Sequence, residues 1–218
     1  MVASPLIPYG TRYLMVTCFD RANRQFRGVH EAARLLHQKQ GVHHHHWSGR
    51  KLGLGRRRTL VWTVVSGHGA DGEARISAGS GTQLEPADLA LPPESQMFLL
   101  GCYQGRESLR TRWAQATGIT PEQVHGCSGE TDSLLSAVFL LNLVEHGLDR
   151  TRHWFRRWAE ANHYFRTWFP VARRTYEEQG ADFIATLTRF AEEVDVSPYE
   201  DFLAVGFKYP SYLSHLRG

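Results

Sequence analysis

Short apolar runs alternate along the chain with stretches that carry a helical spacing. Tyr13 to Phe19, YLMVTCF, is rich in strand formers and stops at Asp20 in an arginine-bearing loop, the pattern of a buried first strand. Val29, Ala32, Ala33, Leu35 and Leu36 then recur at amphipathic-helix positions within Gly28 to Gln40. Strand followed by helix opens an α/β unit. Thr59 to Val65, TLVWTVV, is the strongest strand signal, a β-branched run suited to burial on both faces in a parallel sheet. Ala74 to Ile76 fits a small hairpin arm, Gln96 to Leu100, QMFLL, a further core strand, and Gln123 to Cys127 a shorter one.

Gly41 to Arg58 has no core face and reads mainly as an exposed loop with room for a short strand. Its tract His43 to His46 is expected on the surface, open to adventitious metal rather than built as a metal site. Ser108 to Thr117 reads as a helix ended by Gly118, and Asp132 to His146 as a long apolar helix closed by Gly147. Helices follow over about Arg150 to Phe169 and Val171 to Glu193, divided by Pro170, with a polar and aromatic tail. The pattern predicts an α/β fold, a three-layer sandwich with a mainly parallel central sheet over residues 1–147, and a helical C-terminal extension over 148–218. The aromatic residues Trp154, Phe155, Trp158, Tyr164, Phe165, Trp168 and Phe169 are too many for a solvated helix. They are expected to pack on the first domain or to form a docking surface for a regulatory partner.

Composition narrows the function classes. The 42% hydrophobic and 22% charged content of the 218 residues is that of an ordinary folded protein. The net charge of +3, from 25 Lys plus Arg against 22 Asp plus Glu, is too small for a nucleic-acid footprint. The clusters Arg56 to Arg58 and Arg150, Arg152, Arg156 and Arg157 read as solvated faces or anchors for acidic neighbours, with binding of a partner or nucleic acid as the alternative. No run reaches the roughly 18 apolar residues of a membrane helix, and Met1 to Gly10 lacks a signal-peptide pattern, so a cytoplasmic protein without a membrane partner is expected. Cys18, Cys102 and Cys127 suit neither a disulfide framework nor a metal pair, and neither cofactor nor metal is expected.

Two consecutive core strands end in glycine-flanked reactive residues: Ser66-Gly67-His68-Gly69 and Gly101-Cys102-Tyr103-Gln104-Gly105. In an open parallel sheet functional groups gather at the carboxyl ends of the strands, about 5 Å apart between neighbours. If these strands are neighbours, imidazole and thiol face one another across a cleft. Glycine permits the sharp turns and leaves backbone N–H groups uncovered, so those of Gly69 and Cys102 are the candidate oxyanion donors. A nearby imidazole holds a thiol as thiolate or deprotonates it during attack, which makes His68 the base and Cys102 the nucleophile. Cys18 is expected to be packed in the first strand, and Cys127 to be a pocket wall.

The motifs Ser66-Gly67-His68-Gly69-Ala70 and Gly101-Cys102-Tyr103-Gln104-Gly105, each after an apolar strand, resemble the caspase-like superfamily of cysteine peptidases, nearest to its bacterial metacaspase or CHAT types. The resemblance covers roughly Tyr13 to Gly147. It implies a caspase-like catalytic sandwich and an endopeptidase acting on protein substrates, with bacterial relatives commonly serving in defence or regulated proteolysis. The His-to-Cys spacing, 102 − 68 = 34, is shorter than the roughly 50 of caspases, so the intervening loops are trimmed. Metacaspase-type enzymes usually carry an acidic residue two positions before the cysteine to select a basic cleavage residue. Leu100 stands there, and basic specificity is not implied. Arg21, Arg24 and Arg27 occupy the loop that supplies a cationic pocket in caspases, so they either receive an acidic residue or simply face solvent. Cys127 and Ser128 follow the strand that borders the substrate groove in the family. Asp71 and Asp132 are alternatives for orienting His68 or binding a basic side chain.

Two other classes stand beside this one. The fold could serve as a catalytically silent interaction module working through its C-terminal helices, although the Cys-His pair is present. A different cysteine or serine hydrolase of α/β type is the other, and no Gly-x-Ser-x-Gly elbow appears in this chain.

Overall fold

The computed structural model describes residues 7–20, 23–49, 52, 59–79, 81–178 and 183–209. Arg21 and the Arg56 to Arg58 cluster lie outside the described residues. The chain is α/β, with a mostly parallel seven-stranded sheet. Contacts divide it into two compact units, residues 1–20 with 41–130 and residues 21–40 with 131–218. The units are discontinuous in the chain, whereas the expected division at 147/148 is a single cut.

The first unit carries the sheet. Strands β1 (Tyr13–Cys18), β2 (His43–His46), β3 (Trp62–Ala70), β4 (Glu73–Ser77), β5 (Gln83–Leu84), β6 (Gln96–Leu99) and β7 (Val124–Gly126) follow one another in sequence. Five pair in parallel in the order β2-β1-β3-β6-β7, while β4 and β5 add an antiparallel arm to the far end of β3. One face of the sheet presents Leu14, Val16, Cys18, Val65, Met97, Leu99 and Val124, which form a core with Leu109, Trp113 and Ala114 of the next helix. That helix is α2 in the whole chain (Glu107–Thr117), and it ends at Gly118 in the left-handed conformation, φ 85°. Residues of the other face, Met15, Val64 and Phe98, are also buried, which accounts for strand runs without alternation.

The histidine tract supplies the short strand for which the loop expectation left room, and is less exposed than a surface tract. It forms β2, pairs with β1 from Leu14–His43 to Thr17–His46, and is half-buried. Thr17 Oγ1 meets His44 Nε2 at 2.9 Å and His46 Nδ1 at 3.3 Å, so partnering with β1 supplies what the sequence pattern lacks.

The second unit is helical: α1 (Arg27–Gln40), α3 (Ser133–His146), α4 (Thr151–Tyr164), α5 (Phe169–Glu178), α6 (Phe183–Glu193) and α7 (Glu200–Phe207). α3 is buried almost all round, from Leu134 to Val144, as its uniformly apolar sequence requires. Its buried Asn142 donates through Nδ2 to the Val138 carbonyl (3.0 Å) and the Phe202 carbonyl (2.8 Å), while its Oδ1 is buried without a hydrogen-bond partner. The aromatic residues of α4 and the following turn are mostly interior. Phe155 and Trp158 lie 5.9 and 6.4 Å from the Phe139 ring of α3, and Phe165 and Trp168 each lie 4.6 Å from Phe190 of α6. Pro170 does not divide two helices but occupies the second position of α5, where no intrahelical N–H bond is lost. The tail expected after Glu193 instead contains α7, whose Phe202, Leu203 and Val205 are buried.

Among the described residues no helix is long and apolar enough to cross a membrane.

Candidate active site

The centre of the site is a fork in β3. Its first half pairs with β6 in parallel, Trp62 opposite Gln96 through Val65 opposite Leu99. There β6 ends and turns through Gly101-Cys102, while β3 continues to Ala70 and takes β4 as its new antiparallel partner, with His68 opposite Ser77. His68 therefore lies within a strand rather than in a loop after one, as the sequence had suggested. The 34-residue offset of the β3–β6 register is also the separation of His68 and Cys102, 102 − 68, so each follows the last paired residue of its own strand, Val65 or Leu99, by the same number of residues.

Backbone contacts show how closely the two arms meet. A Cβ on Gly69 would overlap the Cys102 carbonyl oxygen and lie 2.7 Å from Cys102 N, so only glycine fits there. A Cβ on Gly101 would lie 3.3 Å from Gly69 N. The expected oxyanion donors, the N–H groups of Gly69 and Cys102, thus belong to one backbone cluster. The His68 imidazole packs beside Gly79, where an added Cβ would lie 3.5 Å from Cδ2. His68 and Cys102 are both half-buried.

The Cys102 turn is pinned on its other side to the end of β7. Tyr103 N–H donates to the Gly129 carbonyl at 2.7 Å and Gly105 N–H to the Cys127 carbonyl at 2.8 Å. Between them lies Gln104, fully buried, whose Nε2 reaches the Cys102, Ala70 and Glu73 carbonyls at 3.2, 3.4 and 3.0 Å. Its Oε1 accepts from the Trp113 indole N–H at 2.8 Å. Tyr103 has φ 64°, the sole positive φ among described non-glycine residues, a conformation that persists where the surroundings over-determine it.

No family model, curated protein or solved structure matches the chain.

The remaining predicted positions divide sharply. Asp71 pairs with Arg106, whose guanidinium lies 4.8 Å from the Tyr103 ring centroid and whose Nε donates to the Ser128 carbonyl at 3.2 Å. Asp71 and Ser128 are therefore joined to the Cys102 turn through one arginine. Tyr103 Oη donates to Glu130 at 3.2 Å, and burial with the facing carboxylate pushes the Tyr103 hydroxyl up. Leu100 is 2% exposed, with its N–H on the Val65 carbonyl at 2.8 Å, so its side chain is core. Asp132 caps α3 through the Leu134 N–H at 2.7 Å. Arg24 and Arg27 are exposed in the helical unit, and Arg27 pairs with Glu31.

The three thiols have different surroundings, and none is in a disulfide. Cys18 is fully buried, its Sγ 3.5 Å from the Ile76 carbonyl, and burial pushes its thiol up to about 12. Cys127 is 8% exposed and is likewise pushed up by burial. His125, on β7 just before it, stacks on Phe98 at 4.8 Å and meets Gln96 Oε1 at 2.9 Å. Among the described residues no group of three or more His, Cys, Asp or Glu is arranged to hold a metal ion.

Sequence reasoning named Gln104 only as a letter in the cysteine motif and did not reach Trp113 or Arg106. A buried glutamine has no sequence signature, and two of the carbonyls that Gln104 meets, those of Ala70 and Glu73, lie more than 30 residues away along the chain.

Proposed function

We propose that the chain is a cysteine hydrolase of the caspase-like kind that cuts protein substrates through Cys102 and His68. The observation that carries this reading is the β3–β6 fork, just past whose last pair Gly69, next to His68, lies against the Cys102 backbone. His68 takes the thiol proton as Cys102 Sγ attacks a peptide carbonyl carbon. The carbonyl oxygen becomes an oxyanion facing the N–H groups of Gly69 and Cys102. Collapse of that intermediate breaks the C–N bond, His68 returns the proton to the leaving amine, and a thioester remains on Cys102. Water, deprotonated by His68, then releases the acid and regenerates the thiol.

The three-layer caspase-like sandwich belongs to this proposal, supported by the parallel strand order and by the position of both motifs at carboxyl strand ends. A role in bacterial defence, with a regulatory protein partner, follows from the resemblance alone.

The test is peptide acyloxymethyl-ketone labelling located by mass spectrometry, followed by hydrolysis of a peptide library. Labelling confined to Cys102 and slowed about 100-fold or more in His68→Ala supports the dyad. Sluggish labelling indifferent to His68, with no peptide turned over, overturns it.

A further inference from the structure

We infer that Gln104 is a positioning residue that locks the Cys102 turn to the His68 arm, an inference that rests on the dyad proposed above. Its orientation follows from its partners. The Trp113 indole nitrogen is a donor only, so it must face Oε1, which leaves Nε2 for the three surrounding carbonyls. Those carbonyls come from both sides of the fork. Ala70 and Glu73 flank the β3–β4 turn just beyond His68, and Cys102 is the proposed nucleophile itself. One fully buried amide therefore spans the two strand ends whose relative placement sets how imidazole meets thiol.

The same bond fixes the plane of the Cys102–Tyr103 peptide. Nε2 holds the Cys102 carbonyl at 3.2 Å, while the Tyr103 N–H of that peptide is held by the Gly129 carbonyl at 2.7 Å. With both ends of the peptide occupied, Tyr103 is left at φ 64°. The Gln104 amide in turn is oriented by Trp113, which is fully buried in the sheet core. Core, amide, nucleophile backbone and histidine arm thus form one hydrogen-bonded sequence, and loss of the amide frees the cysteine turn to move relative to His68.

The experiment measures the rate of Cys102 alkylation by iodoacetamide from pH 5.5 to 9 in wild type, His68→Ala, Gln104→Met and the double variant, with thermal melts alongside. Gln104→Met keeps length while removing the amide donors and the amide oxygen. The expected result is a 10- to 100-fold fall in the Cys102 rate, the scale of a misplacement of about 1 Å. The pH profile should collapse onto that of His68→Ala, and the double variant should show no further loss. Trp113→Phe removes the indole donor, with some ring volume, while leaving the Gln104 amide in place, and should give a smaller fall in the same direction, which preserves the test if Gln104→Met does not fold. A lowered melting temperature with an unchanged, still His68-dependent rate and profile in both variants overturns the linkage alone. A wild-type rate indifferent to His68 overturns the dyad and the linkage together.

Discussion

Gly101-Cys102 and Gly126-Cys127 are the same dipeptide at the carboxyl ends of two neighbouring parallel strands, yet they make unlike corners. At the first, β6 parts from β3 while β3 continues with a new partner, and the opening admits a half-buried cysteine beside a histidine-bearing strand. At the second, β7 ends against the cysteine turn itself. The Cys127 carbonyl accepts from Gly105 N–H, its side chain is 8% exposed, and burial raises its thiol. The surroundings of such a dipeptide are therefore set by what the adjacent strand does after pairing stops, and the local sequence alone does not distinguish the two.

The widest separation between these corners should appear in native alkylation. Cys102 should react first with iodoacetamide at pH 7.5, Cys127 far more slowly, and Cys18 last. A thiol pushed up to about 12 carries on the order of a thousandth of the thiolate of an ordinary cysteine. In strong denaturant the three should converge. Peptide mapping by time point decides the order, and Cys127 reacting as fast as Cys102 in the folded protein would erase the distinction drawn here.

A smaller effect comes from adding one methyl group at each corner. Gly69→Ala would place its Cβ into the Cys102 backbone, and an overpacked core site of this kind costs about 1–3 kcal/mol. For a chain of this size that corresponds to a fall of several degrees in melting temperature, at roughly 2–4 °C per kcal/mol. Cys102 alkylation should slow with it. Gly129→Ala meets open space at an ordinary φ and should stay within about 0.5 kcal/mol of wild type. Equal stability of the two variants in calorimetry would mean that the close approach at Gly69 is not a constraint.

Much of the sheet was legible because burial on both faces writes continuous apolar runs, and β1, β3 and β6 announce themselves that way. The fork was only half legible. Gly67 and Gly69 around His68 signalled a special backbone, but not that β3 runs through them to pair with β4, because that pairing depends on Ser77 and Ile76 across a turn. β2 was hidden by its composition, since four histidines have no strand pattern and their order comes from β1 and Thr17. Pro170 misled for a simpler reason: the same residue that ends a helix is also favoured at the start of one. Gln104 left no trace, since the carbonyls it satisfies belong to backbone that any sequence would supply.

An effect confined to alkaline pH concerns the third thiol, Cys18, which lies opposite Gly67 across β1 and β3 and marks how dry the core is beneath the fork. Burial keeps it protonated in the folded chain up to about 12, whereas in the unfolded chain a thiol ionises near 8.5. Below about pH 8.5 both states hold the proton, and the stabilisation is complete. Above it, unfolding releases a proton that the fold retains, so stability falls as pH rises towards the folded value. Tyr209, also raised by burial, adds an alkaline loss of the same sign, but it is shared by wild type and any Cys18 variant and cancels in their difference. Urea midpoints at pH 7.5, 9 and 10.5 should therefore decline more steeply for wild type than for Cys18→Ala. Parallel declines would show that water reaches Cys18, and the dry floor of the fork would have to be given up.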